Sequence, residues 1–150
     1  KLQPTLVLMG SPWSPPAWLK TEKMIDAHQP SNTMIDSDRA YRTYANYLAT
    51  IVRMFKSAGL PLTYLTLQNE PLAGGLNYPG MQFSPEQAVR LAKAVKNELG
   101  DMIKLLAYDH NWNNRTYPTD VLTSAPNAFA GTAWHCYAGN MAEAQDGLHE

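Results

Sequence analysis

The 150-residue sequence predicts an α/β fold in which a parallel β-sheet is covered by helices. Near-continuous apolar runs alternate along the chain with amphipathic segments of helical period. Strands buried on both faces give such unbroken apolar runs, and the connection between parallel strands is usually a helix. Polar side chains follow every apolar run, at the strand ends where α/β folds keep their active sites. The expected order within residues 1–150 is β-α-β-α-β-α-β.

Four short apolar runs are predicted to form the strands. They lack the three- and four-residue spacing that marks an amphipathic helix. The runs are 5–9, 62–67, 103–108 and 129–134. The polar segments that follow them are 11–18, 69–70, 109–112 and 135–137. Because the carboxyl ends of parallel strands lie at one edge of a sheet, we expect these four polar segments to meet.

The first helix is predicted from the spacing of its apolar side chains. Between Tyr41 and Phe55 these recur at steps of three and four residues, which places them on one helix face. The segment 36–38 supplies candidate N-cap side chains, and Gly59 followed by Pro61 stops the helix.

The second helix has a start signal in addition to its apolar stripe. Ser84 and Gln87 have the spacing of a capping box, and Pro85 suits the first helical turn. The apolar stripe covers 88–99, and Gly100 ends the helix. A shorter helix is predicted around 119–124, and residues 140–150 are predicted to begin another.

Composition excludes several function classes. The net charge of −1, without a basic block, argues against a nucleic-acid partner. No segment reaches the roughly 18 apolar residues of a membrane span. Cys136 is the only cysteine, so no internal disulfide can form. The chain begins at Lys1, so we expect the natural N-terminus and any signal peptide to lie outside it.

The segment 68–71, Gln-Asn-Glu-Pro, is the strongest single indication of function. It directly follows the apolar run 62–67, so Glu70 is expected at the carboxyl end of a buried strand. A barrel glycosidase presents its general acid at such a position, and the preceding amide of Asn69 can bind a sugar hydroxyl. Trp and Tyr outnumber Phe, with 4 Trp, 8 Tyr and 3 Phe, which suits either sugar stacking or a mixed core.

Four motifs together resemble glycoside hydrolase family thirty, the family of glucosylceramidases, endo-β-1,6-glucanases and related xylanases. They are Ser-Pro-Trp-Ser-Pro-Pro-Ala-Trp-Leu-Lys at 11–20, the segment 68–71, Asp-His-Asn at 109–111 and His-Cys-Tyr at 135–137. The resemblance covers essentially the whole chain. It implies a TIM (β/α)8 barrel, with 1–150 as a partial catalytic domain covering roughly the third to sixth β/α units. It also implies an extracellular or lysosome-like location.

The resemblance further implies a retaining β-glycosidase that works by double displacement on a carbohydrate or glycolipid. Such enzymes pair an acid/base with a carboxylate nucleophile about 5–5.5 Å away. Glu70 matches the acid/base of the family. No residue here matches the nucleophile, which is expected beyond the end of the chain, so these residues alone are expected to be inactive. No metal or cofactor is expected.

Seven residues are expected to bind substrate. By resemblance, Asn69 contacts the 2-hydroxyl of the sugar, although an Asn before Pro71 can also simply form a turn. Asp109 either bonds sugar hydroxyls, orients a neighbour or forms a plain salt bridge. Trp18 is expected to pack in the interior and Phe83 to line the cleft. The other expected contacts are Trp13, Tyr78, Trp112, His135 and Tyr137.

Two rival functions fit the same sheet edge. A metal-dependent hydrolase could use Asp109, His110 and His135, but adjacent side chains on a strand point in opposite directions. A non-catalytic or degenerate carbohydrate-binding barrel would keep the aromatic residues without turnover. As to substrate, the segment 109–112 resembles microbial and fungal glucanase-like members more than animal glucosylceramidases.

Overall fold

The structure, a computed structural model, describes residues 3, 5–27, 31–75 and 77–142. Strands and helices alternate in the predicted order. The elements are β1 (Leu8–Gly10), α1 (Asp38–Ser57), β2 (Leu62–Thr66), α2 (Pro85–Leu99), β3 (Lys104–Asn111), α3 (Thr116–Ser124) and β4 (Gly131–His135). Short 3-10 turns occupy Ala17–Leu19 and Gly100–Met102.

The strands form one parallel sheet whose spatial order, β1-β2-β3-β4, follows the chain. Met9 pairs with Tyr64, which pairs in turn with Lys104 on β3. A doubly wound sheet reverses its strand order, whereas the wall of a barrel keeps it. The predicted α/β architecture is therefore confirmed, while the numbering of these units as the third to sixth stays a prediction.

Both long helices have the predicted caps. The Ser37 hydroxyl accepts a hydrogen bond from the Ala40 backbone N–H, at 3.2 Å, at the start of α1. At α2 the Ser84 hydroxyl accepts from the Gln87 N–H at 3.2 Å, and the Gln87 side-chain oxygen accepts from the Ser84 N–H at 3.0 Å. This reciprocal pair is a complete capping box, which satisfies two donors that the first helical turn leaves free.

The core lies where the inner faces of the helices meet the sheet. The apolar stripe of α2 is buried as predicted. The stripe of α1 is buried from Tyr41 to Val52 except for the half-buried Ile51, whereas Phe55 near the helix end is 42% exposed, and strand residues complete the same cluster. Its most deeply buried side chains include Tyr44, Leu91, Val95, Leu105 and Val121. Burying a side chain of this size contributes about 1.5–3 kcal/mol. In the described part of the chain, no helix is both long and apolar enough to cross a membrane.

Several predicted bounds differ from the observed ones. The first strand begins at Leu8, later than the predicted 5–9, and α3 begins three residues before the predicted 119. β3 continues to Asn111 because a bulge carries it past Tyr108. Most of the predicted terminal helix, 143–150, lies outside the described residues.

Candidate functional site

The carboxyl ends of three strands bring two carboxylates to one imidazole. Glu70 follows β2, Asp109 lies in β3 and His135 ends β4. The His135 Nδ1 atom is 2.9 Å from Glu70 Oε1, and its Nε2 atom is 3.0 Å from Asp109 Oδ1. The predicted meeting of the strand ends therefore occurs, and His135 links the two acidic residues directly.

The backbone at this site adopts conformations that side-chain-bearing residues rarely take. Glu70 has φ +47°, Tyr108 +77° and Asp109 +60°. Each residue held in this left-handed region costs about 1–3 kcal/mol unless its surroundings compensate. Here the Glu70 N–H donates to the Asp109 carbonyl at 2.9 Å, which joins β2 to β3 at the point of strain. Such strain concentrates at functional sites in general.

The Asp109 side chain is buried among groups of the protein itself. It is 2% exposed, and its Oδ2 atom accepts hydrogen bonds from the Ser11 hydroxyl at 2.5 Å and the Thr66 hydroxyl at 2.7 Å. These two donors fix the carboxylate so that Oδ1 faces His135. Three roles were predicted for Asp109: bonding sugar hydroxyls, orienting a neighbour or forming a plain salt bridge. These contacts favour the second role, with His135 as the neighbour.

The bulge in β3 explains how Asp109 turns inward. Tyr108 pairs with Ala133 and His110 with Trp134, so Asp109 has no partner residue on β4. An extra residue of this kind bends the strand and re-aims its side chains. Because of the bulge, the Asp109 and His110 side chains do not simply point to opposite faces of the sheet, as neighbouring residues of a regular strand do.

Trp13 and Tyr78 form what we call the aromatic corner. Their rings lie edge to face, with centroids 5.8 Å apart, and both are exposed. The Tyr78 ring lies directly over Gly75, where an added Cβ atom would come within 2.2–2.4 Å of it. Trp13 is anchored through its carbonyl, which accepts from the Gln68 side-chain amide at 2.7 Å. The predicted loop position of Trp13 is confirmed.

The other predicted aromatic residues lie on the β3 and β4 side. Trp112 stacks on Trp134 with centroids 4.5 Å apart and an angle of 8° between the rings. Tyr137 is 83% exposed, and its ring meets His135 edge to face at 5.7 Å. The Asn111 side-chain oxygen accepts from the Tyr137 N–H at 3.0 Å, which holds this exposed ring close to His135.

Asn69 lies beside Glu70 and is half-buried. Its backbone N–H donates to the Pro12 carbonyl at 2.8 Å, which ties the end of β2 to the segment after β1. The Asn69 carbonyl accepts from the Gln68 side chain at 2.8 Å. These bonds use only the backbone of Asn69, so its side chain stays a predicted sugar contact.

Two predictions are wrong: that Trp18 packs in the interior and that Phe83 lines the cleft. Trp18 is 61% exposed, because the 3-10 turn that contains it buries Leu19 instead. Phe83 is 2% exposed and belongs to the core, where the Tyr117 hydroxyl donates to its carbonyl at 2.9 Å. Phe83 lies just before the Ser84 cap of α2, and the start of the helix directs it into the core.

Three residues of this region were missed by sequence reasoning: Ser11, Thr66 and Lys20. Small hydroxyl residues are common, and nothing local distinguishes the two that bind Asp109. The signal for Lys20 was its place in the 11–20 motif, yet a lysine is expected at the surface. Its complete burial is visible only in three dimensions.

Among the described residues, no three His, Cys, Asp or Glu side chains lie close enough together to bind one metal ion. His110, which the rival metal interpretation used, has a half-buried ring. Burial lowers its pKa, and His135 lowers it further, whereas the Glu70 and Asp109 carboxylates raise it. Its Nδ1 atom is buried and has no hydrogen-bond partner among the residues that the structure describes.

Comparisons with known proteins agree with this geometry. The glycosyl hydrolase family 30 TIM-barrel domain matches residues 1–150. An endo-1,6-beta-D-glucanase of Neurospora crassa is 34% identical over 149 residues, covering 94% of this chain and 30% of that protein. The lysosomal acid glucosylceramidase of Mus musculus is 30% identical over 154 residues, covering 95% of this chain and 30% of that protein.

A solved structure is similar over nearly the whole chain. It is the endo-beta1,6-glucanase BT3312, with a TM-score of 0.80 and 27% sequence identity. The match covers 98% of this chain and 35% of that one. The chain therefore spans about a third of the length of the proteins that it matches.

Proposed function

This chain belongs to glycosyl hydrolase family 30, as its motifs predict, and we propose that it supplies the acid/base half of a retaining β-glycosidase. In this proposal Glu70 donates a proton to the oxygen of the scissile glycosidic bond. It then takes a proton from the water that releases the sugar from the enzyme. The nucleophile is a second carboxylate that the natural full-length protein supplies from outside residues 1–150.

The contact between Glu70 and His135 is the observation that carries the proposal. The Glu70 side chain is 19% exposed, so it is enclosed by protein and still open to a ligand. Its Oε1 atom is held by His135 at 2.9 Å, which leaves Oε2 for the substrate oxygen. A general acid needs this combination of fixed geometry and access to the reacting atom.

The buried Asp109 supports the role of His135 in this arrangement. An ionised carboxylate only accepts hydrogen bonds, so its contact with Nε2 favours the tautomer that carries a proton there. When Nδ1 also carries a proton, it donates to Glu70 Oε1, and the transferable proton of Glu70 then lies on Oε2, the oxygen left for the substrate. The same bond to Oε1 serves an ionised Glu70 in the second step, so the geometry suits both halves of the double displacement.

We propose β-1,6-glucan as the substrate and glucosylceramide as the second candidate. The first rests on the more similar relative, the Neurospora crassa glucanase at 34% identity. The second rests on the Mus musculus glucosylceramidase, at 30% identity over the same part of the chain. The exposed aromatic corner suits either, because both present a glucose ring to stack on an aromatic face. An extracellular or lysosomal location is proposed on the same similarity.

The test uses the natural full-length protein and its Glu70→Gln variant. Wild-type protein is assayed on both candidate substrates. Glucose or glucan fragments are measured with β-1,6-glucan, and glucose is measured with glucosylceramide. Glu70→Gln keeps the shape of the side chain and removes the transferable proton. We expect the variant to lose about 10²–10⁴-fold in kcat on the natural substrate, the usual contribution of general acid–base catalysis.

An activated aryl β-glucoside provides the matched measurement. Its leaving group needs no proton, so the variant should still form the glycosyl-enzyme and release a burst of aryl alcohol. If the variant formed the glycosyl-enzyme equally slowly from both kinds of substrate, the acid/base role would be contradicted. Binding of sugars without turnover by the wild-type protein would instead indicate the non-catalytic carbohydrate-binding barrel.

A further inference from the structure

Lys20 is a fully buried cation that the catalytic arrangement does not use. Its side chain has 0% exposure. Its Nζ atom donates to the Ser14 hydroxyl at 3.1 Å and to the carbonyls of Ile25 at 3.0 Å, Asp26 at 2.6 Å and Gly80 at 2.6 Å. Burial of a charged group is costly unless its hydrogen bonds are satisfied, and here four oxygens share three protons.

Carbonyl oxygens hold this ammonium group without a direct ion pair. Within the described ranges, no carboxylate oxygen lies within 4.0 Å of the Lys20 Nζ atom. Burial lowers the pKa of Lys20 to about 8, and the Asp26 carboxylate opposes this at longer range. Lys20 is therefore a common donor to backbone carbonyls of both surrounding loops.

Lys20 lies between the two loops that carry the aromatic corner. Its Ser14 partner is adjacent in sequence to Trp13, and its Gly80 partner lies two residues after Tyr78. Direct backbone bonds join the same loops, since the Gly80 N–H donates to the Ile25 carbonyl at 3.1 Å. One side chain thus bonds to both supports of the Trp13–Tyr78 contact.

We propose that Lys20 is a positioning residue for substrate binding. It holds the loops after β1 and β2 together, and in this way it fixes the aromatic corner as one wall of the sugar-binding cleft. The inference rests on the proposed function and names the part of the cleft that the pyranose ring of the substrate contacts. An aromatic surface that is fixed in advance loses little freedom on binding. Loss of Lys20 is therefore expected to weaken substrate binding more than the chemical step.

The test compares Lys20→Met with Asn32→Ala in the natural full-length protein. Asn32 is an equally buried polar anchor of the first loop, but among the described residues its side chain bonds only to Glu22, Met24 and Asp26 of that loop. The substrate is whichever of β-1,6-glucan and glucosylceramide the wild-type protein hydrolyses. We expect Lys20→Met to raise KM about tenfold, the effect of one or two lost aromatic contacts, with kcat changed less than about threefold. Asn32→Ala should leave KM near the wild-type value.

A double-mutant cycle separates positioning from general damage. If Lys20 acts through the aromatic corner, Lys20→Met should add little to the KM of Tyr78→Ala. Additive effects, an unchanged KM in Lys20→Met or an equal rise in Asn32→Ala would each overturn the inference. If Lys20→Met does not fold, Lys20→Gln is measured against the same outcomes. Failure of the proposed function would appear separately, as a wild-type protein that hydrolyses neither substrate.

Discussion

His135 bonds to Glu70 through Nδ1, at 2.9 Å, and to Asp109 through Nε2, at 3.0 Å. One imidazole therefore connects the proposed acid/base to a carboxylate that is buried in the protein. The Ser11 and Thr66 hydroxyls hold the far side of Asp109. The orientation of Glu70 thus depends on a chain of hydrogen bonds along the carboxyl ends of all four strands, with Ser11 directly after β1.

Replacing His135 by Ala should lower kcat by about 10–100-fold, less than removal of the acid/base itself, which contributes about 10²–10⁴-fold. Glu70 would keep its proton-donating group but lose the bond that orients it. The loss in kcat/KM should be largest for natural substrates and small for activated aryl glycosides, because kcat/KM reports formation of the glycosyl-enzyme and only the natural leaving groups need a well-aimed proton in that step. Steady-state kinetics on both substrate types measures the difference.

Asp109→Asn provides the matched comparison for this prediction. It keeps the size of the side chain, but an amide nitrogen would face either His135 or the two hydroxyls. If Asp109 acts through His135, the effects of the two substitutions on kcat should be strongly non-additive. Independent, additive effects would show that the bond between them has no catalytic consequence.

The order of the fold was predictable from sequence because burial leaves a periodic mark on the chain. The α1 stripe that begins at Tyr41 and the capping box at Ser84 are local patterns, and both were confirmed. The meeting of Glu70 with the other polar segments followed from a general property of parallel strands. These features can be predicted without knowing which residues are in contact in the folded protein.

The detailed contacts of the site could not be predicted, since they depend on non-local geometry. A bulge at Asp109 turns its carboxylate toward His135, 26 residues away, and no local pattern marks the extra residue. Lys20 is buried because carbonyls from two loops converge on it. Trp18 was misplaced for a similar reason, since hydrophobicity does not tell which side of a single turn faces inward.

Substitution of Gly75 by Ala should disturb the aromatic corner. The new Cβ atom would lie 2.2 and 2.3 Å from two carbon atoms of the Tyr78 ring and 2.4 Å from its hydroxyl oxygen, so the ring must move. An aromatic contact contributes about 0.5–1.5 kcal/mol, and its loss corresponds to a rise in KM of about two- to tenfold. Steady-state kinetics of the full-length protein would measure this, with kcat expected to change little.

Tyr78→Phe is the control for the Gly75 variant. It removes the hydroxyl but keeps the ring over Gly75 and beside Trp13, so its KM should stay within about twofold of wild type. A Gly75→Ala protein with wild-type KM would show that the position of the Tyr78 ring does not matter for binding.

Acid should destabilise the native protein in part through His110. Burial is the main cause that lowers the pKa of His110 below its ordinary value of 6.5. The unfolded chain therefore binds a proton at a pH where the folded chain does not, and the free energy of unfolding falls as pH drops from about 6.5 through the folded-state pKa. The Nδ1 atom is buried and has no partner in the described part of the chain, which is consistent with a ring that is neutral when folded.

His110→Phe keeps a ring beside Tyr108 and removes the titrating group. We expect wild type to lose more stability than this variant between about pH 7 and about pH 5, as followed by urea unfolding at each pH. Trp112→Phe, a change on the same rim that removes no titrating group, should retain the wild-type dependence on pH. Identical pH dependence in wild type and His110→Phe would assign the acid sensitivity to other groups, since the His110 proton is the only one that this substitution removes.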